Sequence, residues 1–153
     1  MRRVRGRGHG LRAAGAAVPL ATVILLGSVA CGDDNPRDAR DAATAVRSQV
    51  EEAGKKFDDI KDGADATKDV AAGPVHIDGS GRAVAVVTVT NTGDRGADFL
   101  IQVEFRNSSG DLVDTVLLTV DDVAPGGQAP GTARSNVDLS GDLTAKVPRA
   151  LRH

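Results

Sequence analysis

A chain of 153 residues with one cysteine, three histidines, three phenylalanines and no tryptophan or tyrosine has room for one small domain and excludes an intrachain disulfide. Its 19 Lys+Arg against 21 Asp+Glu hide a division, because Arg2, Arg3, Arg5, Arg7 and Arg12 all precede the first acid, Asp33, leaving residues 31–153 with 14 cations against 21 acids, net −7. A body this acidic opposes nucleic-acid binding, which needs cations on phosphates, and is repelled by an anionic bilayer surface.

The N-terminus predicts export. The basic stretch MRRVRGRGHGLR runs into an apolar segment, Ala13 to Leu26, and then into small residues Gly27 to Ala30, the three parts of a secretory signal. Three fates compete for it. Val29-Ala30-Cys31 resembles a bacterial lipobox, with Ser28 where leucine is usual; cleavage between Ala30 and Cys31 would then leave a diacylated Cys31 as the mature N-terminus. Alternatively Ser28-Val29-Ala30 serves as an ordinary signal-peptidase site. In the third case Ala13–Ala30 stays as a membrane span, at the lower edge of the ~17–25 residues required. The lone cysteine favours the lipoprotein, since a leftover cysteine in an exported chain needs a reason and two acyl chains give stable attachment. The expected location is the extracytoplasmic face of the cell membrane.

After a short tether, residues 31–35, the segment PRDARDAATAVRSQVEEAGKKFDDIKD (36–62) predicts a helix. Asn35 is a favourable N-cap, Pro36 suits the first turn, and Gly63 is a stop. Glu51–Lys55 and Glu52–Lys56 have the i,i+4 spacing of ion pairs. Ala39, Ala43, Val46, Val50, Ala53, Phe57 and Ile60 form a narrow apolar seam. Two roles fit the seam: a spacer resting on the neighbouring domain, or a weak self-associating or partner-binding helix. Residues 64–73 read as linker, so that 36–73 form a helical stalk holding a domain up to about 40 Å from the anchor.

From residue 74 the period changes to two. PVHID, RAVAVVTVTN, ADFLIQVEFR, DLVDTVLLTV, TARSNVDL and LTAKVPR are separated by GSG, NTGDRG, NSSG, APGGQAPG and SGD. Six or seven short strands with turns at this spacing predict a small antiparallel β-sandwich over 74–153. In ADFLIQVEFR, Phe99, Ile101, Val103 and Phe105 alternate with Leu100, Gln102, Glu104 and Arg106, the pattern of a half-buried strand. Leu112, Val116, Leu118 and Val120 share one side of the next.

Residues 84–129 resemble the FxLYD-type domain of exported bacterial lipoproteins. Val87, Val89 and Asn91 match its first strand end, Asn107 and Gly110 its turn, and Val123, Pro125 and Gly126 its Pro-Gly loop. Val103-Glu104-Phe105-Arg106-Asn107 stands where Phe-x-Leu-Tyr-Asp would be. The resemblance implies an immunoglobulin-like accessory module and no particular activity.

Chemistry-bearing patterns are sparse. His76, Asp78 and Ser80 supply three triad residue types in VHIDGSG, but neighbours along a strand point in alternating directions and no nucleophile elbow is present. Beyond them residues 31–153 hold one more histidine, His153. FDDIKDGAD and VDDVAPGG put acids beside glycine without the alternate spacing of a calcium loop. Asn107-Ser108-Ser109 fits a glycosylation pattern but reads as a turn. No phosphate-binding glycine loop opens a helix, and Phe99 and Phe105 point inward, leaving no aromatic platform for sugars or hot spots. No catalytic residue, metal site or cofactor is expected. The sequence thus points to a non-catalytic cell-envelope lipoprotein whose sandwich is an interaction or accessory module, with a cell-envelope protein as partner. The alternative is a small-ligand- or ion-binding lipoprotein acting with a membrane partner.

Overall fold

The structure is a computed structural model that describes residues 36–153. The signal segment, Ala30, Cys31, the tether and the Asn35 cap lie outside the described residues. Among those described, no helix is long and apolar enough to cross a membrane.

One helix precedes seven strands: α1 (Pro36–Asp58), β1 (Ala64–Asp65), a 3-10 turn at Thr67–Asp69, β2 (Val70–Ile77), β3 (Arg82–Thr90), β4 (Ala97–Asn107), β5 (Leu112–Val123), β6 (Gln128–Asp138) and β7 (Leu143–Arg152). They form two antiparallel sheets, in the order β1-β7-β4-β5 and β2-β3-β6. Packed face to face, these make a β-sandwich.

The core joins large to small. Phe99, Ile101, Val103 and Phe105 of β4, with Val116 and Val120 of β5, face Ala83, Ala85, Val87 and Val89 of β3 and Ala133 of β6, all buried. Period two alone puts these side chains on one face of each strand. Gly131 belongs to the same fit: a Cβ there would lie 2.8 Å from Leu118 and 2.9 Å from Val120. The inward row of β5 includes Val116, Leu118 and Val120, but Leu112 follows a register shift and pairs with Arg106, and Asp114 takes the inward place opposite Phe105.

Several expectations are corrected. Residues 64–73 are not a linker; they form β1, the 3-10 turn and the start of β2, because Val70 is buried in the core and pairs with Val89. Pro74 lies inside β2, where the register shifts between Ala72 and Val75, a place on an edge strand that tolerates a missing N–H. Gln128–Gly131 is not a break but half of the β3–β6 ladder, and Pro130 is accommodated because β6 is also an edge. β3 is the central strand of its sheet.

The helix ends at Asp58, short of 62, and Ile60 closes a tighter turn onto Phe57. Gly63 is required by crowding, since a Cβ would meet Ile60 at 2.9 Å and Leu151 at 3.2 Å. Neither Glu51–Lys55 nor Glu52–Lys56 is among the ion pairs of the described residues; exposed helix pairs gain little against side-chain entropy.

β4 is buried on both faces, not half-buried: Leu100, Gln102 and Glu104 are 8–9% exposed, against 0% for their inward neighbours Phe99, Ile101, Val103 and Phe105. The seam of α1 lies against the outer face of this sheet, on β5 and on Arg149 of β7. Ala53 and Phe57 are buried, Arg149 of β7 stacks its guanidinium 4.4 Å over the Phe57 ring, and Asp58 pairs with Arg149 at 3.8 Å. Leu117, Gln102 and Arg149 form one cross-strand row beneath the helix. Glu104 is neutralised by Arg106 through two contacts of 3.0 and 2.6 Å. Residues 40–48 of α1 are mostly exposed, so the helix from residue 36 to 48 spans only roughly 20 Å, rather than 40 Å, ahead of the packed part.

Candidate binding groove

Where α1 crosses β5 it leaves a groove of about 570 Å³ against the neighbouring edge of β6, a volume within the range of ligand sites. β5 and β6 are edge strands of opposite sheets and run side by side at one corner of the sandwich. Asp114 stitches that corner: its carboxylate accepts from the amides of Thr115 and Asn136, while the Asn136 side chain donates 3.0 Å to the Thr115 carbonyl. These side chains occupy backbone groups that an edge would otherwise offer to an added strand. The buried Asp114 has no cation among its partners.

The helical wall carries Gln49, Glu52 and Ala53; Val116, Leu117 and Ala133 are apolar lining. Gln49 follows Val46 by three residues and precedes Ala53 by four, so helical periodicity places it on the buried stripe. Its Oε1 is buried and has no hydrogen-bond partner among the described residues. At the β6 side, Arg134 donates 2.9 Å to Asp78 and 2.6 Å to the Ser80 hydroxyl.

The structure brings Asp78 and Ser80 together but leaves His76 apart. Ser80 donates its hydroxyl to Asp78 at 2.6 Å and its amide at 2.8 Å. His76 stands exposed on β2, paired with Val84, and among the described residues makes no side-chain hydrogen bond to either. Hydrogen bonds from the Ser80 hydroxyl and amide, then from the Arg82 amide and Arg134, hold the Asp78 carboxyl far below the usual carboxylate range. A serine hydroxyl given to a carboxylate and receiving a guanidinium is a turn brace, not an activated nucleophile.

The other singled-out residues are likewise structural in placement. His153 exchanges backbone hydrogen bonds with Asp98. Asp65 accepts from the amide and hydroxyl of Thr67, which lowers its pKa from the ordinary value. Asp122 adopts φ +56° and donates its amide to Asp98. Asn107 accepts from the Ser109 and Asp111 amides around Gly110, φ +86°. Among the described residues, no group of three or more His, Cys, Asp or Glu lies close enough to hold a metal ion.

Gln49, Asp114 and Asn136 were not singled out by the sequence reading. Two of them carry a signal: Gln49 is a polar residue within an apolar helical stripe, and Asp114 breaks the alternation between Leu112 and Val116. The second uncovered surface is the outer face of β2-β3-β6, where Val86 is 49% exposed beside Val84, Thr88 and Thr132 in the β3–β6 ladder. No family model, curated protein or solved structure matches the chain.

Proposed function

We propose that the chain is an exported bacterial lipoprotein, diacylated on Cys31 and held at the extracytoplasmic face of the cell membrane, whose β-sandwich is a non-catalytic interaction module. The observation that carries the location is the lone cysteine closing an arginine-headed apolar segment. The observation that supports the role is the unequal covering of the two sheets: α1 shields one, while the other keeps a Val/Thr face open next to the groove.

The FxLYD-like, immunoglobulin-type reading draws support from a junction. Asn91 is fully buried; its Nδ2 donates to the carbonyls of Arg95 and Val123, its Oδ1 accepts from the Gly93 amide, and its carbonyl accepts from Gly126. The strand end and the Pro-Gly loop that carry the resemblance are thus tied by one asparagine. A buried amide with its side-chain partners filled fixes a loop pair in one arrangement.

Mass spectrometry of the mature N-terminus from membranes tests the proposal. A chain beginning at an acylated Cys31, and loss of processing and of membrane sedimentation in Cys31→Ser, are the expected results. A free, unmodified N-terminus or retention of residues 1–30 would overturn it.

A further inference from the structure

We infer that the outer face of β2-β3-β6 packs against the same face of a second copy of this chain, forming a weak two-fold dimer. This names a partner for the interaction module proposed above and rests on that reading. Period two divides β3: Ala83, Ala85, Val87 and Val89 enter the core, while Val84, Val86 and Thr88 point outward. Thr132 of β6 lies beside Val86, and His76 of β2 beside Val84. Val86, the most exposed large hydrophobic residue described, therefore stands at the middle of a flat Val/Thr surface on a central strand. Contiguous apolar surface of this kind marks an interaction site.

Edges, charge and area select the occupant. The sheet edges are guarded against an added strand: β1 has two residues, β2 carries Pro74 at a register shift, β6 carries Pro130, and Asp114 and Asn136 occupy backbone groups where β5 meets β6. Such devices block edge pairing and leave contact through the face. Residues 31–153 hold 14 cations against 21 acids, so two copies repel over most approaches, yet this face bears no unengaged carboxylate. Along its rim Arg134 meets Asp78 at 2.9 Å and Arg82 meets Asp138 at 3.0 Å; at the other end Asp69 accepts from the Thr92 hydroxyl. Val84, Val86, Thr88 and Thr132 offer a charged partner nothing to pair with, whereas a like sheet can stack on them about 10 Å away with side chains interdigitated. Three strands, the central one of nine residues, give a footprint of roughly 14 by 30 Å, about 800 Å² over two copies. That is the size of a weak contact, and tethering both copies in one membrane plane raises their effective concentration.

Sedimentation equilibrium of the full chain in density-matched detergent tests this. A monomer–dimer equilibrium with Kd on the order of 100 μM is expected. Raising salt from about 50 to about 500 mM should tighten it severalfold, because screening relieves the repulsion between two bodies of net −7. Val86→Glu sets two carboxylates against each other across the two-fold axis and should weaken the dimer about tenfold or more. Its unfolding midpoint in dilute solution should match the parent's, since the site is exposed. Val46→Glu, on the free half of α1, should leave Kd unchanged. A photo-crosslinker at position 86 should join β3 to β3 of a second copy in intact membranes. A chain monomeric to about 1 mM, weakening by salt, a Kd unmoved by Val86→Glu, loss of the dimer in Val46→Glu, or cross-links from position 86 to a different protein alone would each overturn the inference. Lipid attachment at Cys31 is read separately by mass spectrometry, so failure here leaves the anchor argument standing, and failure there does not alter the sedimentation.

Discussion

The two sheets of the sandwich share one core but differ in what lies on their outer faces. On β1-β7-β4-β5, α1 closes over Gln102, Leu117 and Arg149, and the central strand β4 is buried on both sides. On β2-β3-β6 the central strand β3 keeps strict alternation, with Ala83, Ala85, Val87 and Val89 buried and Val86 exposed. A domain of this size has little apolar surface to bury, and it extends its buried surface by laying a helix on one sheet only. Among the described residues, the outer face of β2-β3-β6 and the groove at the helix margin are left uncovered.

The comparison breaks most readily through the three phenylalanines. Phe105→Ala, in the shared core, is expected to destabilise the fold by about 3–5 kcal/mol in a denaturation curve, and Phe57→Ala by about 3 kcal/mol if the helix is integral to the covered sheet. A loss of a few tenths at Phe57 would mean that α1 is an attachment and not part of the fold. Gly131→Ala, which presses a methyl onto Leu118 and Val120, should cost about 1–3 kcal/mol by overpacking; a neutral result would show slack between the sheets. Gly54→Ala meets nothing within 4 Å and should raise stability by about 0.5–1 kcal/mol through helix propensity. Val86→Ser, on the open face, should change stability by less than about 0.5 kcal/mol, and a larger loss would reveal a cover over that sheet.

The strands were legible because alternation is a local signal: VAVVTVT and DFLIQVEF declare a period of two without reference to anything distant. The outer side of β4 was not, because Leu100, Gln102 and Glu104 look solvent-facing until Arg106, the flanking strands β5 and β7 and the helix packed on them are in place. The edge prolines misled for a related reason. Pro74 and Pro130 break a strand in isolation, and only the sheet order, with β2 and β6 at edges, makes them tolerable. Gly127 and Gly126 do turn the chain, yet two residues later Gln128 enters the ladder, so the glycine-rich run hid where β6 begins. At the margin of the groove, Arg134 meets Asp78 and Ser80 across more than fifty residues, and no spacing rule reports such a contact. The Asp78–Ser80 turn itself was visible, and the chemistry ascribed to it as a brace follows from who donates to whom.

The most direct test of the covered-sheet account uses the fact that the chain contains three phenylalanines, Phe57, Phe99 and Phe105, at 1%, 0% and 0% exposure. Fluorine NMR of the full chain labelled with fluorophenylalanine, read with a soluble paramagnetic relaxation agent, reports solvent contact at all three at once. The account predicts that the Phe57 resonance, assigned through Phe57→Leu, is as protected as those of Phe99 and Phe105. A Phe57 signal relaxed as strongly as free fluorophenylalanine, beside two protected ones, would contradict it.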